Sequence, residues 1–345
     1  MRKLATAITL ALCLAFASNA AAAPRSFYGV VSSGDPSAAD LIRMGKGKVG
    51  QVRVNIHWPA VQQLENWPYD WSRYDPIVRQ AAERRIKVFP TIYGSAAWAA
   101  DTGKHPPKPE YRDEFQAFLR ATAERYGPGG DFWAENPQLP KLPFTDWQMW
   151  NEVNSPTFWY SKPRAKQYKP LLVAATRGIK PVNPGAKIVV AGLFRTPRVK
   201  NSIPMKKYLK QLYKTGAKPF FDAVAVHPFA RNPAKAMETV DEARRVMRRH
   251  KDGKTPIWIT ELGWASSGIR TPVTVSPKKQ ARYLRQSYRK AARSRKRRKI
   301  RGVFWYTFQD SAPKFWIYRT GLLTRSGKAK PSWKSFVRFT GGRPN

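Results

Sequence analysis

Cysteine is almost missing from this chain. The one copy is Cys13, so intramolecular disulfides cannot staple the fold. Histidine is nearly as scarce, with four copies, and no His, Asp and Glu set has the spacing of metal ligands. No metal site is expected, and no cofactor. No glycine-rich loop follows a strand-like run, which argues against dinucleotide and phosphate cradles. Past the N-terminus there is no run of eighteen consecutive apolar residues, so no transmembrane helix is expected. Acids are few. Lys and Arg number 63 against 22 Asp and Glu, for a net charge of +41. Such a surface draws polyanions over about one Debye length, roughly 10 Å at moderate salt. The same charge also fits a uniformly solvated basic surface, because net charge speaks to association rather than to fold.

What is present starts with a leader. Arg2 and Lys3 precede an apolar run from Leu4 to Ala17, and small residues follow up to Ala23. That pattern reads as a secretory signal peptide over 1–23, too short in its apolar part to span a bilayer. A lipoprotein reading rests on Cys13, but a bulky Leu10 stands where a small residue belongs. Removing Arg2 and Lys3 takes the charge from +41 to +39. Roughly 320 residues remain, enough to bury one large core. The product is expected to be secreted or held at the cell envelope, as a monomer.

Over residues 24–345 strand-like and helix-like runs alternate. The strand-like runs are Ser26–Val31, Gln51–His57, Ile86–Tyr93, Phe144–Glu152, Lys187–Gly192, Phe221–His227, Ile257–Glu261 and Gly302–Phe308. Amphipathic stretches lie between them: Tyr74–Arg85, Tyr111–Tyr126, Lys166–Ile179, Met205–Thr215 and Val240–His250. Alternation of this kind implies a parallel sheet, and eight units at this length predict an α/β fold, a single-domain (β/α)8 TIM barrel. The stretches His105–Pro109 and Gly127–Pro143 read as loops leading to the fourth strand and shaping the mouth. Lys278–Arg301 holds 13 Lys or Arg in 24 residues, with Ala281, Leu284, Tyr288 and Ala291 at helical spacing. It reads as an outer helix with one apolar stripe, whose cationic face is solvated or meets a polyanion.

Two segments carry the chemistry. WQMWNEVN holds Glu152 and IWITELGW holds Glu261, each near the end of an apolar strand-like run. In a barrel, polar groups at strand ends face one pocket. Two carboxylates placed so can supply a proton donor and a nucleophile or base for glycoside cleavage. Either Glu alone also fits a buried ion pair, with Arg53 as partner. The remaining strand ends give Arg53, His57, Tyr93, Asn151, His227 and Trp305. Trp305 is expected as a pocket floor, with Trp58, Trp159 and Trp264 as walls for stacking on sugar faces. His227 fits a hydrogen-bonded core position as well.

The ordered set of WNEVN, ITELGW, RVNIHW, YGSAAW, VHPF and WYTFQD resembles glycoside hydrolase clan A, with families 39 and 5 nearest. The resemblance spans nearly all of the chain after the leader. It implies a retaining enzyme acting on β-linked carbohydrate. Glu152 would be the general acid/base, Asn151 would hold the sugar 2-OH, and Glu261 would be the nucleophile, kept ionised by Arg53 beneath it. Glu152 would keep its proton in the less polar setting of Trp147 and Trp150. One position departs from the pattern. Phe229 stands two residues after His227, where clan members often carry a Tyr, so Tyr93 or Tyr306 would have to substitute or the site would be slower. The substrate expected is a carbohydrate, with an anionic polysaccharide favoured by the charge. No recognised nucleic-acid module appears. The alternative function is a non-catalytic glycan- or polyanion-binding envelope protein on the same barrel.

Overall fold

The computed structural model describes residues 23–160, 162–195 and 199–344. The leader expected over 1–23 therefore lies outside the described residues, except for Ala23. Eight strands form one closed parallel barrel in sequence order: β1 (Tyr28–Val31), β2 (Gln51–Ile56), β3 (Lys87–Ile92), β4 (Asp146–Asn151), β5 (Lys187–Phe194), β6 (Ala223–His227), β7 (Ile257–Leu262) and β8 (Ile300–Tyr306). Pairing of Tyr28 with Val303 and of Val31 with Tyr306 closes the seam. The helices are α1 (Ala38–Lys46), α2 (Trp58–Val61), α3 (Asp75–Glu83), α4 (Arg112–Tyr126), α5 (Asp131–Glu135), α6 (Ala165–Ile179), α7 (Met205–Lys214), α8 (Pro233–Arg249), α9 (Pro277–Arg298) and α10 (Pro331–Thr340). At least one follows every strand. The barrel expected from alternation is the one observed.

Burial on both faces explains why the strands read as apolar runs. One face of each strand meets the helices through the large outer core. The other fills the barrel, where Val31, Phe89, Val189, Ala223, Ala225, Trp258 and Phe304 form a separate cluster. Phe89 packs 4.9 Å from Trp258 and 5.1 Å from Phe304, centroid to centroid. Gly302 makes room for this plug: a Cβ there would sit 2.3 Å from the Trp258 ring.

Three expectations are corrected. Gly127–Pro143 cannot shape the mouth. It joins the end of α4 to the start of β4, so it runs beneath the barrel, and it contains α5. Helix α8, which precedes β7, starts at Pro233 rather than Val240, with the Asn232 side chain accepting from the Lys235 N–H as its cap. The basic helix α9 ends at Arg298, and β8 begins at Ile300, two residues ahead of the expected start. Lys299 turns the chain between them in the left-handed region. His105–Pro109, in contrast, does lie on the mouth side, between β3 and α4, with the His105 ring 5.0 Å from Tyr160.

Candidate active site

The C-terminal ends of β3, β4, β6 and β7, with the middle of β2, bring one polar cluster together. Arg53 on β2 is buried at its centre. Its guanidinium donates from Nη1 to Glu261 Oε1 at 2.7 Å, from Nη2 to Asn151 Oδ1 at 2.8 Å and from Nε to Thr91 Oγ1 at 2.9 Å. Three rigid donors thus meet groups from three other strands, which is what a planar fork does and an ammonium cannot. His227, at the end of β6, fills the other side. Its Nδ1 lies 2.7 Å from Glu152 Oε1 and 3.5 Å from Glu261 Oε2, and its Nε2 lies 3.0 Å from Thr260 Oγ1. Gly192 on β5 permits this placement. A Cβ there would stand 1.9 Å from His227 Nε2.

Strand alternation alone would send Asn151 and Glu152 to opposite faces. The backbone prevents that. Trp150 has φ of 70° and Glu152 has φ of 37°, a left-handed conformation that is uncommon for residues with a side chain. These turns let Asn151 reach Arg53 while Glu152 reaches His227. Strain of this sort concentrates at functional positions. It is held here by a strand buried along its whole length.

Glu152, His227 and Glu261 each offer a polar atom within 4.8 Å of the others. The two carboxylates therefore converge, and both reach solvent, with 12% and 8% of their side chains exposed. Spacing along the chain had given no sign of a three-ligand grouping. The set suits a metal poorly, since the Arg53 cation already occupies one Glu261 oxygen.

Electrostatics separate the two acids. Burial and the charge of Glu261 push the Glu152 carboxyl well above its ordinary range, with Arg53 opposing. Burial also pushes Glu261 up, to about 7, against the pull of Arg53. The ion pair was expected to keep Glu261 low; desolvation outweighs it. The order is still the one expected, because Arg53 touches Glu261 and not Glu152. His227 is held well below its usual range by burial and by Arg53, so it is neutral.

His57 and Tyr93 lie together on the rim, ring centroids 5.7 Å apart. Burial and the Glu152 charge push the Tyr93 hydroxyl up to about 12. Phe229 is buried with its ring 6.4 Å from His227 and 6.0 Å from Tyr306. Among the described residues no tyrosine hydroxyl hydrogen-bonds Glu261; the group beside it on that flank is His227. Tyr306 feels both carboxylates, which together with burial raise its hydroxyl.

The tryptophan expectation fails. Trp305 points outward from β8, fully buried, 6.5 Å from Tyr288 of α9, and donates to the Thr320 carbonyl. Trp264 is also fully buried, 6.0 Å from Trp305, and donates to the Ala230 carbonyl. Trp58 and Trp159 are buried as well. None offers a ring face to a ligand. The exposed aromatics were not singled out. Among the described residues, seven of the eight exposed large apolar side chains lie on strand-to-helix connections, including Trp67, Tyr160, Phe315 and Tyr318; the eighth, Ile42, is on α1. Their signal was position after a strand rather than within it. Thr91 was missed too, though an inward polar residue on β3 marks it.

The description "Glycosyl hydrolase catalytic core" matches residues 151–333. The chain belongs to that family. The match begins at Asn151 and takes in both Glu152 and Glu261, in line with the clan A resemblance. Solved structures share the fold. A family 39 glycoside hydrolase from the gut symbiont Bacteroides cellulosilyticus WH2 superposes with TM-score 0.66 at 18% identity, over 92% of this chain and 63% of that one. A GH5_18 protein from Bifidobacterium longum subsp. infantis gives 0.62 at 14% identity, over 91% and 78%. The exo-β-1,4-mannosidase Op5Man5 from Opitutaceae bacterium strain TAV5 gives 0.62 at 15% identity, over 91% and 59%. This chain thus spans under two thirds of the first and third. No curated protein matches.

Proposed function

We propose that the protein is an exported glycosidase that cleaves β-linked carbohydrate with retention, through a glycosyl ester on Glu261. One observation carries the reading: the Glu152 and Glu261 carboxylates converge within 4.8 Å at the ends of β4 and β7. That proximity supports a retaining pair, whose carboxyl groups stand about 5–5.5 Å apart, over an inverting pair at about 6.5–9.5 Å. Glu261 attacks the anomeric carbon as Glu152 passes its proton to the departing glycosidic oxygen. Glu152, now a carboxylate, then takes a proton from water, which displaces Glu261 from the sugar. Asn151, fixed by Arg53, faces the ring substituent beside the anomeric carbon. His227, neutral, holds Glu152 in place.

The test uses aryl β-glycosides. Glu261→Gln and Glu152→Gln are expected to fold and to lose turnover. Azide added to Glu152→Ala is expected to restore turnover of substrates with good leaving groups, giving a β-glycosyl azide. Full activity in both Gln variants would refute the assignment. Tight glycan binding by the wild type with no cleavage of any glycoside would leave the barrel a binder.

A further inference from the structure

Two surface cavities, neither containing the carboxylate pair, lie next to each other on the outer wall. The lower one, about 290 Å³, lies between α9 and α10, and its charged lining is Lys278, Arg285, Lys334 and Arg338. The upper one, about 750 Å³, lies on the mouth rim, where the connections after β7 and β8 enter the same two helices; Arg319, Arg325 and Lys330 line it. Pro331 borders both, and Pro277 of the upper cavity adjoins Lys278 of the lower. The neighbouring cavities together step from the rim down the wall, a pair we call the groove.

Most of its positive charge is not cancelled. The acid in its lining is Asp310, which Lys330 engages at 2.7 Å. Neither α9 nor α10 contains an Asp or Glu. On the adjacent α8, Asp241 is engaged by Arg298, Glu242 by Arg195 and Glu238 by Lys235. A groove of one charge sign with low-dielectric walls focuses potential more than a flat basic surface does. The charge is also periodic. Exposed Arg282, Arg289 and Arg293 continue the line along α9, whose 22 residues extend about 33 Å. Neighbours three or four residues apart on a helix stand about 5–6 Å apart. That ladder fits a linear polymer with a charge on each repeating unit better than a single small anion.

We propose that this groove holds a linear acidic polysaccharide bearing carboxylates on its sugar units, and presents it to the mouth. The choice of a saccharide among polyanions rests on the glycosidase reading. The experiment measures binding of polygalacturonate to full-length protein carrying Glu261→Gln, so that no ligand is consumed. A groove variant, Lys278→Ala/Lys334→Ala/Arg338→Ala, is compared with a control losing three exposed cations of α7, Lys206→Ala/Lys207→Ala/Lys214→Ala. Thermal melts confirm that both fold. The groove variant is expected to bind about tenfold more weakly and the control less than about twofold, with the difference shrinking as NaCl rises from about 50 to about 200 mM. Equal weakening in both variants would mean diffuse surface charge and would overturn the groove. No binding of polygalacturonate would overturn it as well. Single-stranded dT oligonucleotide bound more tightly, with the same dependence on the groove, would overturn the saccharide class. None of these arms depends on catalysis, so a failure of the glycosidase reading shows separately, in the aryl glycoside assay.

Discussion

At the scale of single residues, the candidate site turns on how one guanidinium is shared. Arg53 satisfies Glu261, Asn151 and Thr91 at once. Lysine would keep the charge but reach one partner well. Arg53→Lys is expected to lower kcat/KM for an aryl glycoside about a hundredfold, because small misplacements of reacting groups cost that much, and to lower Tm as well, because buried partners lose their donors. An unchanged kcat/KM would show that the clamp is structural only. The pH profile has a definite sign. In the proposed mechanism, turnover needs Glu261 ionised and Glu152 protonated. Glu261 gains its proton as pH falls through about 7, so kcat/KM is expected to drop below neutrality; Glu152, held higher, sets the alkaline limb. An acidic optimum would contradict this order. Both glutamates, Arg53, Asn151 and His227 were legible in the sequence because they recur in order on the strand-like runs; each alone would fit a buried structural pair as well. Trp264 and Trp305 were misread for a related reason: a barrel strand buries both faces, and an indole on it gives no hint of which face it takes.

At the scale of elements, the eight strands were readable because each is a short apolar run between amphipathic stretches. Boundaries slipped where local chemistry outweighed periodicity. The Asn232–Pro233 start of α8 is such a case, since an Asn cap followed by Pro at the first helical position is a start signal. The end of the barrel on which a loop lies follows from order alone, and Gly127–Pro143 precedes a strand. Packing between elements was not legible. Gly192 looked like the end of a strand, yet it makes space for His227 on the neighbouring strand. Gly192→Ala is expected to displace the imidazole, to cut kcat at least about tenfold and to destabilise by about 1–3 kcal/mol, the usual cost of overpacking. Thermal melts and steady-state kinetics on the same preparation check it; wild-type values in both would mean that β5 yields freely. The rim gives a further expectation. Trp67→Ala or Phe315→Ala should raise KM for a polymer several-fold and leave a small aryl glycoside nearly untouched, if these exposed rings hold sugars beyond the cleavage point. Equal effects on both substrates would argue against that.

At the scale of the whole molecule, a charge of +41 acts on stability as well as on partners. Like charges repel one another most in the compact state. Tm is therefore expected to rise as NaCl increases from low salt to about 0.15 M, where the Debye length is about 8 Å. A falling Tm would mean that attractive pairs outweigh the repulsion. On the proposed mechanism, the clamp described above also sets when this chain becomes able to react. Arg53 and Glu261 are 208 positions apart, and Asn151 lies between them. A chain cut or stalled before β7 would hold a proton donor without its counterpart and an arginine without its anion. Such truncated products would be inert towards glycosides whatever their solubility, and competence would arrive only once the seventh strand has docked.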